Sequence, residues 1–150
     1  MQSSPILRAL LGFLAAVLSV LTFHQAMIGL LHAAGMLPRP PFNFAPVPPL
    51  GVPVLLNLCF WGGLYGILFG LVLPRLPRAL PLLAAGLLLG LLAASVGWFV
   101  VAPIKGLPMA AGWSGQRMLV SVLINGVWGI GTAVILRGIA GGSMAAARAA

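Results

Sequence analysis

The chain has 150 residues, of which 61% are hydrophobic and 5% are charged, with eight Lys and Arg and no Asp or Glu. Soluble domains average about 25% charged residues, so this composition excludes a mainly water-facing surface and predicts an integral membrane protein. The net charge of +8 does not indicate a nucleic-acid partner, because the basic residues are scattered between apolar runs rather than clustered on one face. The lack of carboxylates excludes Asp/Glu acid–base catalysis and a carboxylate cage for hard cations.

Four stretches without charged residues are long enough to cross a bilayer, which takes about 20 mainly apolar residues. They predict spans at about residues 9–31, 52–73, 80–101 and 118–136. The prolines fall in the termini, the connections and the ends of these spans, where a missing N–H is tolerated. The sequence therefore predicts a single all-α transmembrane domain over residues 1–150, with four helices in an antiparallel up-down bundle.

The first span has features of a signal peptide, since Arg8 precedes an apolar run and small residues follow at Ala33–Ala34. The apolar run is longer than the roughly 7–15 residues of a signal-peptide core. An uncleaved signal anchor is therefore the favoured interpretation.

Polar residues in three of the spans suggest a cluster inside the bundle. The segment FHQAMIGLLHAAG places two histidines and a glutamine near the end of span one, and Asn57 and Asn125 each precede a Trp-Gly pair. Unpaired polar groups are costly at membrane depth, so these side chains are expected to hydrogen-bond across helices. The predicted cluster consists of His24, Gln25, His32, Asn57, Trp61, Tyr65, Ser121, Asn125 and Trp128.

Three interpretations of this cluster stay open: hydrogen bonding between helices, a ligand pocket that opens outward, and a metal or haem site. Interhelical bonds in membranes contribute about 0.6 kcal/mol each, whereas intramembrane ionisable residues are functional candidates. His24 and His32 lie on one helix about 12 Å apart along its axis, so one chain cannot ligate both faces of a haem with them. The sequence therefore predicts neither a metal nor another cofactor.

Glycines at four-residue spacing predict close helix packing. Span two carries Gly62, Gly66 and Gly70, and span three carries Gly86 and Gly90. The turn PRLPR between these spans is short, so they are predicted to be neighbours whose glycine ridges meet.

The basic residues predict the orientation by the positive-inside rule. With four spans, five of the eight share a side with both termini, which favours a cytoplasmic N-terminus and C-terminus. These five are Arg8, Arg75, Arg78, Arg137 and Arg148, against Arg39, Lys105 and Arg117 on the other side. The loops 36–51 and 102–117 then face outward, and the first, with six prolines, is expected to be extended and stiff.

A shared pattern suggests that the chain is a tandem repeat of two helical hairpins. PPLGVP at residues 48–53 and PIKGLP at 103–108 both precede a span that contains Asn and then Trp-Gly. Convergence in a chain rich in glycine and proline is the alternative.

Known four-span families rely on groups that this chain lacks. Small multidrug exporters depend on a membrane Glu and disulfide-generating proteins on cysteine pairs, whereas Cys59 is the lone cysteine. The first functional hypothesis is a non-enzymatic accessory or structural subunit of a larger complex in the bacterial inner membrane. The alternative is a small homo-oligomeric transporter or channel for a neutral or anionic solute. An enzyme or redox carrier that uses His24 ranks third.

Overall fold

A computed structural model describes residues 4–141. Within that range the chain forms four long helices, called the first to fourth helix below: Pro5–Ala33, Val54–Arg75, Leu82–Ile104 and Gly115–Ile139. All four are long and apolar enough to cross a membrane, with mean hydropathies of 1.8 to 2.2. The all-α prediction is thereby confirmed, and each predicted span overlaps one of these helices.

The first and third helices both change from α-helical to π-helical structure part of the way along. Each begins with a 15-residue α-helical segment and continues with a five-residue π-helical segment. The first helix consists of Pro5–Ser19, the π segment Val20–His24 and the α segment Gln25–Ala33. The third consists of Leu82–Val96, the π segment Gly97–Val101 and the short α segment Ala102–Ile104. Such π segments are rare and often mark functional sites.

The helix starts follow from local sequence. Ser4 caps the first helix by accepting a hydrogen bond from the Leu7 N–H, and Pro5 follows at the first position, where its missing N–H costs nothing. Pro53 and Pro81 occupy the cap positions of the second and third helices. The second helix runs α-helically over Val54–Val72 and ends in a 3₁₀ turn, Leu73–Arg75, while the fourth is α-helical throughout.

The connection before the second helix folds back on itself instead of extending. Strands β1 (Pro46–Val47) and β2 (Val52–Pro53) pair antiparallel in a small hairpin. Gly51 adopts a positive φ of 68° and its N–H donates to the Val47 carbonyl, which closes the turn. The expectation of an extended loop was wrong for residues 46–53, where Gly51 adopts a left-handed conformation as the chain reverses direction.

Glycines bring the first and second helices into backbone contact. A Cβ added at Gly66 would lie 2.5 Å from the Ala16 Cβ and also against the Gly12 carbonyl, and one at Gly70 would meet the Arg8 carbonyl. The contacts run in opposite directions along the two helices, since higher numbers on one meet lower numbers on the other. The glycine ridge of the second helix therefore packs on the first helix.

The third and fourth helices form a second pair in the same way. A Cβ at Gly86 would lie 2.6 Å from the Gly129 carbonyl oxygen, and one at Gly90 would lie 2.9 Å from the Gly126 Cα. The prediction that the two glycine ridges meet each other was wrong. Each ridge packs on the other helix of its own pair, and the second and third helices hardly touch despite the short turn between them.

The two pairs join through the first and fourth helices. Ser19 Oγ donates to the Trp128 carbonyl at 2.7 Å, and Trp128 Nε1 donates to the Ala16 carbonyl at 3.2 Å. The central packing includes Ala133 and Leu136, both fully buried. The spatial order is thus second, first, fourth, third, which leaves a gap between the second and third helices.

Candidate functional site

A cavity of about 510 Å³ occupies the gap between the second and third helices. The first and fourth helices and the hairpin connection also contribute to its walls. Six residues of the predicted polar cluster line it: His24, Asn57, Trp61, Tyr65, Asn125 and Trp128. Side chains from three helices that are distant in the sequence therefore meet around one space.

His24 is held in the cavity wall by its neighbour in the chain. Its side chain is 8% exposed, and its Nδ1 lies 3.3 Å from Gln25 Nε2. Gln25 Oε1 in turn accepts a hydrogen bond from the Phe42 N–H at 2.7 Å. Gln25 is itself 3% exposed and does not line the cavity, so it positions His24 and links it to the connection before the second helix.

Several polar groups of the cavity lack protein partners. Within residues 4–141, the side chains of Asn57 and Tyr65 form no hydrogen bond, while Asn125 Nδ2 donates to the Ser121 carbonyl at 2.9 Å and its Oδ1 stays unpaired. The Tyr65 ring stands edge-on to Trp128, with the ring centroids 6.3 Å apart. Unpaired amide and hydroxyl groups suit a bound molecule or water, because leaving them unpaired costs free energy.

Both π segments contribute to the cavity wall. Val20 and His24 come from the first, and Gly97 and Val101 from the second. A Cβ added at Gly97 would meet no atom within 4 Å, so this glycine borders open space rather than a neighbouring helix. Both π segments therefore lie at the level of the cavity, which fits the frequent occurrence of π turns at functional sites.

The connection before the second helix covers one side of the cavity. The lining residues that it supplies are Val47, Pro48, Pro49, Leu50 and Val52. Lys105, just after the third helix, is the charged residue of the lining. As far as residues 4–141 form it, the cavity wall is therefore mainly apolar, with a small number of polar groups and one cation.

Three members of the predicted cluster lie away from the cavity lining. His32 is exposed near the end of the first helix, where its Nδ1 lies 2.9 Å from the Leu37 carbonyl oxygen. Ser121 takes part through its backbone carbonyl, which accepts from Asn125, and Gln25 acts through His24. Gln25 is buried whereas His32 is exposed further along the same helix, so the two side chains do not meet.

The expected hydrogen bonds across helices between His24, Gln25, Asn57 and Asn125 are absent within residues 4–141. Gln25 contacts His24 in its own helix and accepts from the Phe42 N–H in the connection before the second helix. Asn125 donates to the Ser121 carbonyl within its own helix. The side-chain bonds between helices are instead those of Ser19 and Trp128. Sequence reasoning missed Ser19, although it continues a row of small residues, Gly12, Ala15 and Ala16, that marks the packed face of the first helix.

We expect Ser19→Ala to lower the free energy of unfolding by about 0.6 kcal/mol, the average for an interhelical hydrogen bond in a membrane protein. Thermal unfolding of the detergent-solubilised protein would show this as a small fall in Tm. Ser95→Ala is the matched control, because Ser95 Oγ donates to the Leu91 carbonyl of its own helix. Equal shifts for the two variants would contradict the role of Ser19 in joining the helix pairs.

The described residues do not assemble a metal site, because no three His, Cys, Asp or Glu side chains within residues 4–141 lie close enough to share an ion. Comparisons of the chain with protein-family models, with curated proteins and with solved structures gave no match. The cavity and its polar groups are therefore the features from which a function is inferred.

Proposed function

We propose that this protein crosses the bacterial inner membrane four times as an antiparallel bundle, with both termini in the cytoplasm. The four apolar helices and the opposed contacts within each helix pair support this arrangement. Large hydrophobic side chains are exposed along all four helices, as a lipid-facing surface requires. The basic residues support the orientation, although Arg148 lies outside the described residues.

Within that bundle, we propose that the cavity between the helix pairs binds a small molecule and that the protein carries or transports it. The observation that carries this proposal is an open space lined by unpaired polar groups of Asn57, Tyr65 and Asn125 within apolar walls. Small-molecule sites combine mostly apolar walls with a few polar groups, in volumes of roughly 300–1,000 Å³. A neutral or anionic solute fits best, because the chain contains no Asp or Glu.

An accessory or structural subunit of a larger membrane complex is the second candidate, and a homo-oligomer is compatible with either function. The sequence favours the accessory role, because catalytic groups are lacking and glycine ridges are present. The cavity supports ligand binding over a purely structural role, since helices that only pack together need no open space lined by unpaired polar groups. The matching 15-residue and five-residue segments of the first and third helices support the tandem repeat of two hairpins.

Filling the cavity should prevent ligand binding without disturbing the fold. We expect Gly97→Leu to reduce co-purified ligand at least about tenfold, because the new side chain would occupy open cavity space. Native mass spectrometry of the protein extracted gently from its own membranes would measure the bound mass. Gly138→Leu is the matched control, since a Cβ at Gly138 also meets no atom within 4 Å and this residue does not line the cavity.

Two outcomes would contradict the proposed binding function. Bound mass that is equal in Gly97→Leu and Gly138→Leu would place the ligand elsewhere. A stoichiometric larger protein partner, with no small bound mass in either variant or in the wild type, would favour the accessory role.

A further inference from the structure

We infer that the molecule bound in this cavity is a single-chain anionic amphiphile, whose headgroup accepts hydrogen bonds from His24 and is attracted by Lys105. This inference rests on the proposed function, because it names the class of ligand that the cavity would take. Three independent features support it: the proton position on His24, the sign of the charge at the cavity, and the apolar gap between two helices.

The hydrogen-bond chain from Phe42 to His24 determines which ring nitrogen of His24 carries the proton. The Phe42 backbone N–H can only donate, so the Gln25 atom that faces it is the oxygen. The other Gln25 amide atom is then the NH₂ group, which donates to His24 Nδ1. A neutral imidazole whose Nδ1 accepts carries its proton on Nε2.

His24 Nε2 is therefore a hydrogen-bond donor without a protein partner in the described part of the chain. Arg8 Nε is the one fully enclosed side-chain nitrogen or oxygen without a partner in residues 4–141. Nε2 is thus not sealed off by protein, although the His24 side chain as a whole is more than nine-tenths buried. Because His24 lines the cavity, a ligand with an acceptor group would satisfy this donor.

The charge at the cavity favours an anion over a neutral or cationic group. Lys105 is the lining residue with a charge, and the chain has no Asp or Glu that could neutralise it or hold a cationic ligand. Hydrogen bonds to an ionised acceptor are roughly twice as strong as those between neutral groups. A carboxylate or similar anion therefore gains from both His24 and Lys105.

The apolar walls and the gap between the second and third helices suit a hydrocarbon chain. Much of the lining is apolar, including Leu58 and Ala93 on opposite sides of the gap. The cavity is partly open rather than enclosed, and Trp61 in its wall is 54% exposed, so the opening reaches the molecular surface beside Trp61. In a bilayer that surface faces lipid, which gives an amphiphile a route from the membrane into the cavity.

Oleate and oleyl alcohol test this inference, because they share a hydrocarbon chain and differ in whether the headgroup is ionised. Each would be titrated at pH 8 into the full-length protein in a non-ionic detergent, with binding followed by native mass spectrometry. We expect oleate to bind about tenfold more tightly than oleyl alcohol. Gln25→Leu and Lys105→Gln should each weaken oleate binding several-fold and change oleyl alcohol binding by less than about twofold.

Arg117→Gln is the matched control for Lys105→Gln, because Arg117 is also an exposed cation near the same helix ends but does not line the cavity. Equal loss of oleate binding in these two variants would overturn the inference by showing general surface attraction. Equal affinity of the wild type for both probes, with both lost in Gly97→Leu, would overturn the anionic ligand class and leave the binding function standing. Binding of neither probe, with no small bound mass in the native protein, would contradict both proposals.

Lys105→Gln keeps the test decisive if Gln25→Leu fails to fold, since Lys105 is exposed and its replacement disturbs no packing. An unchanged preference for oleate in Lys105→Gln and in folded Gln25→Leu would overturn the assignment of the headgroup to these two residues.

Discussion

Replacement of Gly66 by alanine is expected to destabilise the protein by about 3 kcal/mol, because the first and second helices approach closely at this point. The added methyl group would overlap the Gly12 carbonyl and lie 2.5 Å from the Ala16 Cβ. Backbone atoms and a rigid Cβ cannot move aside as a flexible side chain can, so the two helices must separate. The contacts that this separation weakens extend along the whole helix pair.

Thermal unfolding in detergent, followed by size-exclusion chromatography of the soluble fraction, would measure the loss. Gly138→Ala is the control, because a methyl group there meets no atom within 4 Å and alanine favours the helix by about 1 kcal/mol over glycine. We expect that control to keep or raise the wild-type Tm. A Gly66→Ala protein as stable as the wild type would contradict the packing of these two helices.

Replacement of Trp128 by alanine should be among the most damaging single changes, costing about 3–5 kcal/mol. Trp128 is 3% exposed, donates to the Ala16 carbonyl and packs edge-on against Tyr65. Its removal leaves a cavity where the two helix pairs meet. Trp61→Ala is the matched control, because Trp61 also precedes a glycine but is 54% exposed, and its loss should cost less than about 1 kcal/mol.

Trp128→Phe separates packing from hydrogen bonding, since phenylalanine retains an aromatic ring and lacks the N–H. We expect it to lose a smaller part of the stability, about 1–2 kcal/mol, and chemical or thermal unfolding of all three variants would rank them. Similar losses for Trp61→Ala and Trp128→Ala would contradict the burial of Trp128 between the helix pairs.

Sequence reasoning predicted the four helices because the signal is local. A run of about 20 apolar residues must satisfy its own backbone hydrogen bonds if it is to lie in lipid, and a helix does so within the run. The prolines at the helix starts and the positions of the charged residues predicted approximately where each helix begins and ends. The same local logic pointed to His24, Asn57 and Asn125, because polar side chains within apolar spans are costly wherever they lie.

The choice of packing partners depended on the tertiary structure. Both glycine ridges have the same four-residue spacing, so the spacing alone does not say whether Gly66 meets Gly86 or Gly12. The structure pairs Gly66 with Gly12 and Gly86 with Gly129. Shape complementarity between whole helix faces decides such pairing, and the short turn between the second and third helices does not bring their faces together.

The length of the apolar runs and the positions of the charges were enough to determine an all-α chain with four helices capable of crossing a membrane. They also identified the polar side chains that are costly in lipid. Only the tertiary structure decided that Trp128 is buried while Trp61 is exposed, although each lies in a similar Asn and Trp-Gly pattern. It also decided that His24, Asn57 and Asn125 surround a cavity rather than bond to one another. The physical reason is that burial cost is a property of one residue, whereas partners and open space arise from how separate helices fit together.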